Sequence, residues 1–108
     1  MFLKVLQPHP VFYNVLPEEI IMAVSHGDTV EVFTTRAIDS FSFAGPMGVF
    51  MSKCPEVILR VHNEYAVNIQ HIDRIDVISR MIYMRDSKFR ARIGYGEYKK
   101  KVKQLIDQ

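Results

Sequence analysis

Short apolar segments, many alternating with polar residues at a period of two, are separated by turn-forming residues along most of the chain. Residues 11–16 form a candidate strand ended by Pro17, and residues 19–24 form the next, ended by the Ser25-His26-Gly27-Asp28 turn. Phe41 and Phe43 alternate with Ser40 and Ser42, which predicts a hairpin of residues 30–34 and 38–43 turning near Thr35-Arg36. From residue 45 to 53 the period changes. Pro46 suits the first position of a helix, Met47, Phe50 and Met51 recur at i, i+3 and i+4, and Gly48 keeps that helix short and weak.

Val57, Leu59 and Val61 then alternate with Ile58, Arg60 and His62, so Arg60 and His62 are expected to face outward from a rigid strand. A second hairpin, residues 81–85 and 88–93, turns at Asp86-Ser87. It sends Phe89, Ala91 and Ile93 to one face and Lys88, Arg90 and Arg92 to the other. Gly94 and Gly96 break this strand and lead into a terminal helix, whose Tyr98, Val102, Leu105 and Ile106 lie at i, i+4, i+7 and i+8. The expected fold is mainly β, with small antiparallel sheets, a short central helix and a C-terminal amphipathic helix.

With 108 residues, 48% of them hydrophobic, the chain is expected to form one domain, residues 1–108, with a core that needs no disulfide or structural metal. No apolar run approaches the ~20 residues of a membrane span, and the first six residues are too short and too lightly charged for a secretory signal, so a cytoplasmic protein is expected. Cys54 is the only cysteine and reads as a packing residue. His9, His26, His62 and His71 show no metal-ligand spacing, and no metal or other cofactor is expected. Ser25-His26 lacks a nucleophile elbow, Gly94-Tyr95-Gly96 lacks the rest of a phosphate loop, and Glu18-Glu19 reads as solvated turn charge rather than a catalytic dyad. An enzyme is not expected.

The net charge of +2 conceals an asymmetry. Residues 1–54 carry three basic side chains (Lys4, Arg36, Lys53) and five acidic ones, whereas residues 55–108 carry eleven basic and seven acidic. Between residues 80 and 103 the bases Arg80, Arg85, Lys88, Arg90, Arg92, Lys99, Lys100, Lys101 and Lys103 face only Asp86 and Glu97. That concentration is the electrostatic footprint expected for a polyanion partner.

Arg60, His62, Asn63, Tyr65, Val67 and Asn68, followed by Ile72 and Ile75, resemble the signature of the LytTR family of bacterial DNA-binding domains. The order of elements agrees over residues 11–106. The resemblance implies a transcriptional regulator that binds double-stranded DNA through loops entering successive major grooves. By position, His26 in the first loop, Arg60 and Asn63 in the second and Tyr95 in the third are the expected base readers. Asparagine can pair bidentately with adenine and arginine with guanine. Lys88, Arg90, Arg92, Lys99 and Lys100 are the expected phosphate contacts, which position a protein without specifying sequence. Tyr65, Val67 and Ile69 are expected in the core, and Asn68 is expected to bond backbone in a turn.

Two departures stand out. Glu64 replaces the usual serine, where it would repel phosphate unless paired with Arg60 or accepting from a cytosine amino group. Gly94-Tyr95 replaces a basic pair in the third loop. These departures keep open a second reading, a protein–protein adaptor that retains the fold without productive DNA binding. The 108 residues leave no space for a receiver domain, so control by abundance, by homodimerisation on repeated half-sites or by a sequestering regulatory protein is the corresponding expectation.

Overall fold

A computed structural model describes residues 1–36 and 40–108, and in it the strands assemble into two antiparallel sheets. The larger contains β1 (Phe2–Gln7), β2 (His9–Asn14), β3 (Ile20–Ser25), β4 (Thr29–Thr34), β5 (Phe41–Ala44), β6 (Ile58–Arg60) and β7 (Tyr65–Asn68), in the order β2-β1-β5-β4-β3-β7-β6. The smaller contains β8 (Ile72–Asp76), β9 (Met81–Met84) and β10 (Arg90–Arg92), in the order β10-β9-β8. The helices are α1 (Met47–Ser52) and α2 (Glu97–Ile106). This is the mainly β architecture expected from the sequence, with Pro46 capping α1 rather than occupying its first turn.

The large sheet is covered on both faces. Leu3, Ala23, Val30, Val32, Phe41 and Ala66 pack on one side with Met47 and Phe50 of α1. Met22, Val61 and Val67 pack on the other with Ile82, Met84 and Ala91 of the small sheet and Val102 of α2. A bulge in β3 lets Ile21 and Met22 both join this second core, because Ile20 and Met22, two residues apart, oppose the adjacent residues Thr34 and Phe33. Double burial also corrects the one-sided reading of residues 57–61. Ile58 enters the first core while Leu59 and Val61 enter the second.

The first strand differs most from expectation. Period-two reading starts the fold at residues 11–16, whereas β1 and β2 already pair from Phe2↔Asn14 to Gln7↔His9. Every residue of β2 is exposed, so this strand has no buried face for a hydrophobic pattern to mark. The predicted hairpin between β4 and β5 forms, with Val32 opposite Phe41, although its expected residues 38 and 39 lie outside the described residues.

Glu19 is more than solvated turn charge. Its Oε1 accepts from Leu16 N at 2.9 Å, and its Oε2 accepts from Arg36 Nε at 2.7 Å. The Arg36 guanidinium and the Leu16 amide hold this carboxyl below its ordinary value, and Arg36 also donates to Asn14 O, fastening the end of β2 to the start of β3. Cys54 packs against the first core, and burial pushes its thiol up to about 11, in keeping with a packing role.

Candidate nucleic-acid interface

The signature segment, residues 60–68, turns from β6 into β7. Asn68 is fully buried at its end and belongs to the scaffold: Nδ2 donates to Ile20 O at 2.9 Å and to Pro17 O, and Oδ1 accepts from Gln70 N. Ala66 and Val67 are buried, Tyr65 and Ile69 half-buried. The polar residues between β6 and β7 are left to form a short loop.

Arg60 braces that loop from below. Its Nη2 donates to Asn63 O at 2.7 Å and its Nε reaches His62 O at 3.4 Å. His62 Nδ1 accepts from Glu64 N at 3.1 Å, and the ring packs beside Tyr65 with centroids 5.3 Å apart. Glu64 does not pair with Arg60. The four ion pairs among the described residues are His26–Glu31, Arg36–Glu19, Arg74–Asp73 and Lys100–Glu97. The carboxylate is thus left exposed while the backbone carbonyl of Glu64 accepts from Ser25 N at 2.8 Å.

That last bond joins the loop of residues 25–29 to the loop of residues 61–64. A second set joins the latter to residues 93–98: Gly94 N donates to Val61 O at 2.7 Å, and the Tyr98 hydroxyl donates to Asn63 Oδ1 at 2.7 Å. Gly94 is required by this approach. A Cβ there would stand 2.7 Å from Tyr98 Cδ2 and 3.3 Å from the His62 Cα. Gly96 serves differently: at φ 60° and ψ −123° it turns the chain into α2 through a region open essentially only to glycine. Three loops distant in sequence therefore form one continuous, hydrogen-bonded surface.

His26, Asn63 and Tyr95 sit on this surface, each exposed, whereas Arg60 lies half-buried beneath it. His26 Nε2 meets Glu31 Oε1 at 3.0 Å, and the other oxygen of Glu31 accepts from Ser40, so the imidazole is held toward β4. Tyr95 is 74% exposed and stacks on the Arg80 guanidinium, 3.7 Å from Cζ to the ring centre. Asn63 keeps its Nδ2 donor and one Oδ1 lone pair beyond the Tyr98 bond, the pair of functions that adenine recognition uses.

The basic residues are spread more widely. Arg90 and Arg92 are exposed on β10 on either side of buried Ala91, and Lys99 and Lys100 lie exposed on the first turns of α2. Lys88 stands at the far end of the hairpin, where neighbouring Phe89 stacks on Phe33. Five residues, three of them in β10, separate it from Gly94. Register adds a base that alternation alone did not single out. Arg74 and Arg90 both lie opposite Tyr83, so the three form a row across the small sheet, with Arg74 Cζ 4.1 Å from the Tyr83 ring centre. Tyr98 was likewise legible only as part of an apolar stripe; its hydroxyl is the one polar tip in that stripe.

Among the described residues no three His, Cys, Asp or Glu side chains cluster as a metal site requires, and no helix is long and apolar enough to cross a membrane. No curated protein matches the sequence. A solved LytTr DNA-binding domain, from a Bacillus cereus protein described as a methyl-accepting/DNA response regulator, matches the structure with a TM-score of 0.78 at 18% identity. That match covers 100% of this chain and 96% of the other. The family model of the LytTr DNA-binding domain matches residues 11–107, and the chain belongs to this family of DNA-binding domains.

Proposed function

We propose that the chain is a transcriptional regulator that reads double-stranded DNA with its three clamped loops, each entering the major groove. What carries this reading is the joining of the loops by the Ser25–Glu64, Gly94–Val61 and Tyr98–Asn63 hydrogen bonds. A surface ordered before binding loses less conformational entropy when it meets the duplex.

Asn63 is the principal base reader, its amide oriented by Tyr98. Tyr95, seated on Arg80, takes the place of a basic reader in the third loop. His26 reads from the first loop on release from Glu31, and Arg60 acts chiefly by holding the Asn63 carbonyl in place. Arg92, Lys99 and Lys100 contact phosphates beside the loops, while Arg90 and Lys88 contact the flanking duplex. Exposed Glu64 disfavours a phosphate at its position and favours a cytosine amino group.

The test compares two substitutions on a bound duplex and its single-base variants. Asn63→Ala is expected to lose about 1–3 kcal/mol of discrimination at one base pair. Lys100→Ala is expected to weaken all sequences alike. Uniform loss from both would contradict this division of labour, and no retention of any duplex would favour the adaptor.

A further inference from the structure

Beside the three loops, α2 and the β8–β9 turn enclose a half-open groove of about 330 Å³. Its walls are apolar, formed by Val77, Ile93, Val102 and Ile106. The sequence pattern places Ile106 in the buried stripe of α2, yet it is 47% exposed, left uncovered by the described residues. The opposite wall is fixed. Asp76 Oδ1 accepts from both Ile78 N and Ser79 N at 3.1 Å, and Ile93 N donates to Arg80 O at 2.9 Å.

Arg80 closes the turn with φ at 53°, a left-handed conformation that non-glycine residues rarely hold. Its Nη1 is buried and has no hydrogen-bond partner. A guanidinium is seldom left so, and stacking on Tyr95 satisfies the π face but none of the N–H groups. Lys99 and Lys103 also line the groove, so three cations and only one carboxylate, Asp107, border an apolar trough.

The volume lies at the small end of ligand sites, which are mostly apolar with a few fixed polar groups. A duplex phosphate would leave the apolar trough uncovered. We infer that the groove binds a small amphipathic carboxylate, its head held by Arg80 and its apolar body lying along Val102 and Ile106. Lys99 and the Arg80–Tyr95 stack belong both to this groove and to the proposed DNA surface. Resting on that reading of the surface, occupation of the groove draws off the charge of Lys99 and shifts Tyr95, so it lowers affinity for DNA, and DNA lowers affinity for the carboxylate by the same factor.

The experiment titrates the isotope-labelled full chain with octanoate below its micellar concentration, beside 1-octanol, which lacks the charge, and acetate, which lacks the chain. Octanoate is expected to shift the Ile93, Val102 and Ile106 amides saturably and to bind roughly tenfold or more tighter than either control. Arg80→Met is expected to remove the preference over octanol. Ile106→Lys, on an exposed position that leaves the fold intact, is expected to abolish binding of both. Absence of saturable shifts at those amides, or an unchanged preference in Arg80→Met, would overturn the site. Saturating octanoate is expected to weaken duplex binding roughly fivefold or more. Unchanged duplex affinity with octanoate bound would overturn the coupling alone. A chain that binds no duplex even without octanoate would overturn the DNA reading and the coupling together, with the groove judged by its own arm.

Discussion

Replacing Tyr98 by phenylalanine removes one oxygen, the donor that fixes the Asn63 amide at 2.7 Å, and leaves the ring that packs over Gly94. The bond is exposed, so its loss should lower folding stability by no more than about 1 kcal/mol. Its effect on DNA should be larger than its effect on the fold suggests. An Asn63 amide free to rotate must be immobilised when the base is read, at about 0.5–1.5 kcal/mol, or roughly 2- to 12-fold in affinity. The assay is fluorescence anisotropy at fixed salt on a bound duplex and on the variant altered at the base that Asn63 reads. Tyr98 acts through Asn63 alone in this reasoning, so Tyr98→Phe in an Asn63→Ala background should cost less than about 0.5 kcal/mol. A full additive loss in that background, or equal weakening on both duplexes, would refute it.

Gly94→Ala should cost about 1–3 kcal/mol in urea denaturation, because the added carbon meets the Tyr98 ring at 2.7 Å and the His62 backbone at 3.3 Å. DNA affinity should fall with it as the second and third loops part; wild-type values for both would show that the loops do not pack this closely. The Glu19 and Asp76 carboxyls lie below their ordinary values of 4.5 and 3.8, held there by Arg36 and by the Ser79 amide respectively. The native state therefore binds these protons less tightly than the unfolded chain, so the stability they contribute is present above those values and lost as pH falls through the lowered ones. Urea midpoints should drop between about pH 5 and pH 3, and less steeply in Arg36→Gln.

The sequence reveals the parts of this molecule whose burial is local and periodic. The β9–β10 hairpin is legible because Phe89, Ala91 and Ile93 face a core while Lys88, Arg90 and Arg92 face solvent. The β1–β2 hairpin escapes the same reading because no residue of β2 is buried. Strand β6 misleads it because both of its faces are covered. At the interface, the signature residues identify the second loop, but the bonds that align it with its neighbours cross 39 residues from Ser25 to Glu64 and 35 from Asn63 to Tyr98. No pattern along the chain encodes such pairings. Gly94 illustrates the limit: along the chain it reads as a strand breaker, and in the structure it is the contact that lets two loops meet.

Salt dependence decides whether this surface binds duplex DNA through its basic side chains. Five phosphate contacts, from Lys88, Arg90, Arg92, Lys99 and Lys100, predict a log–log slope of about −4.5 and a loss of roughly 500-fold in affinity between 50 and 200 mM salt. A measured slope near that value is expected if these five side chains neutralise phosphates. A flat response across the same range would contradict duplex binding.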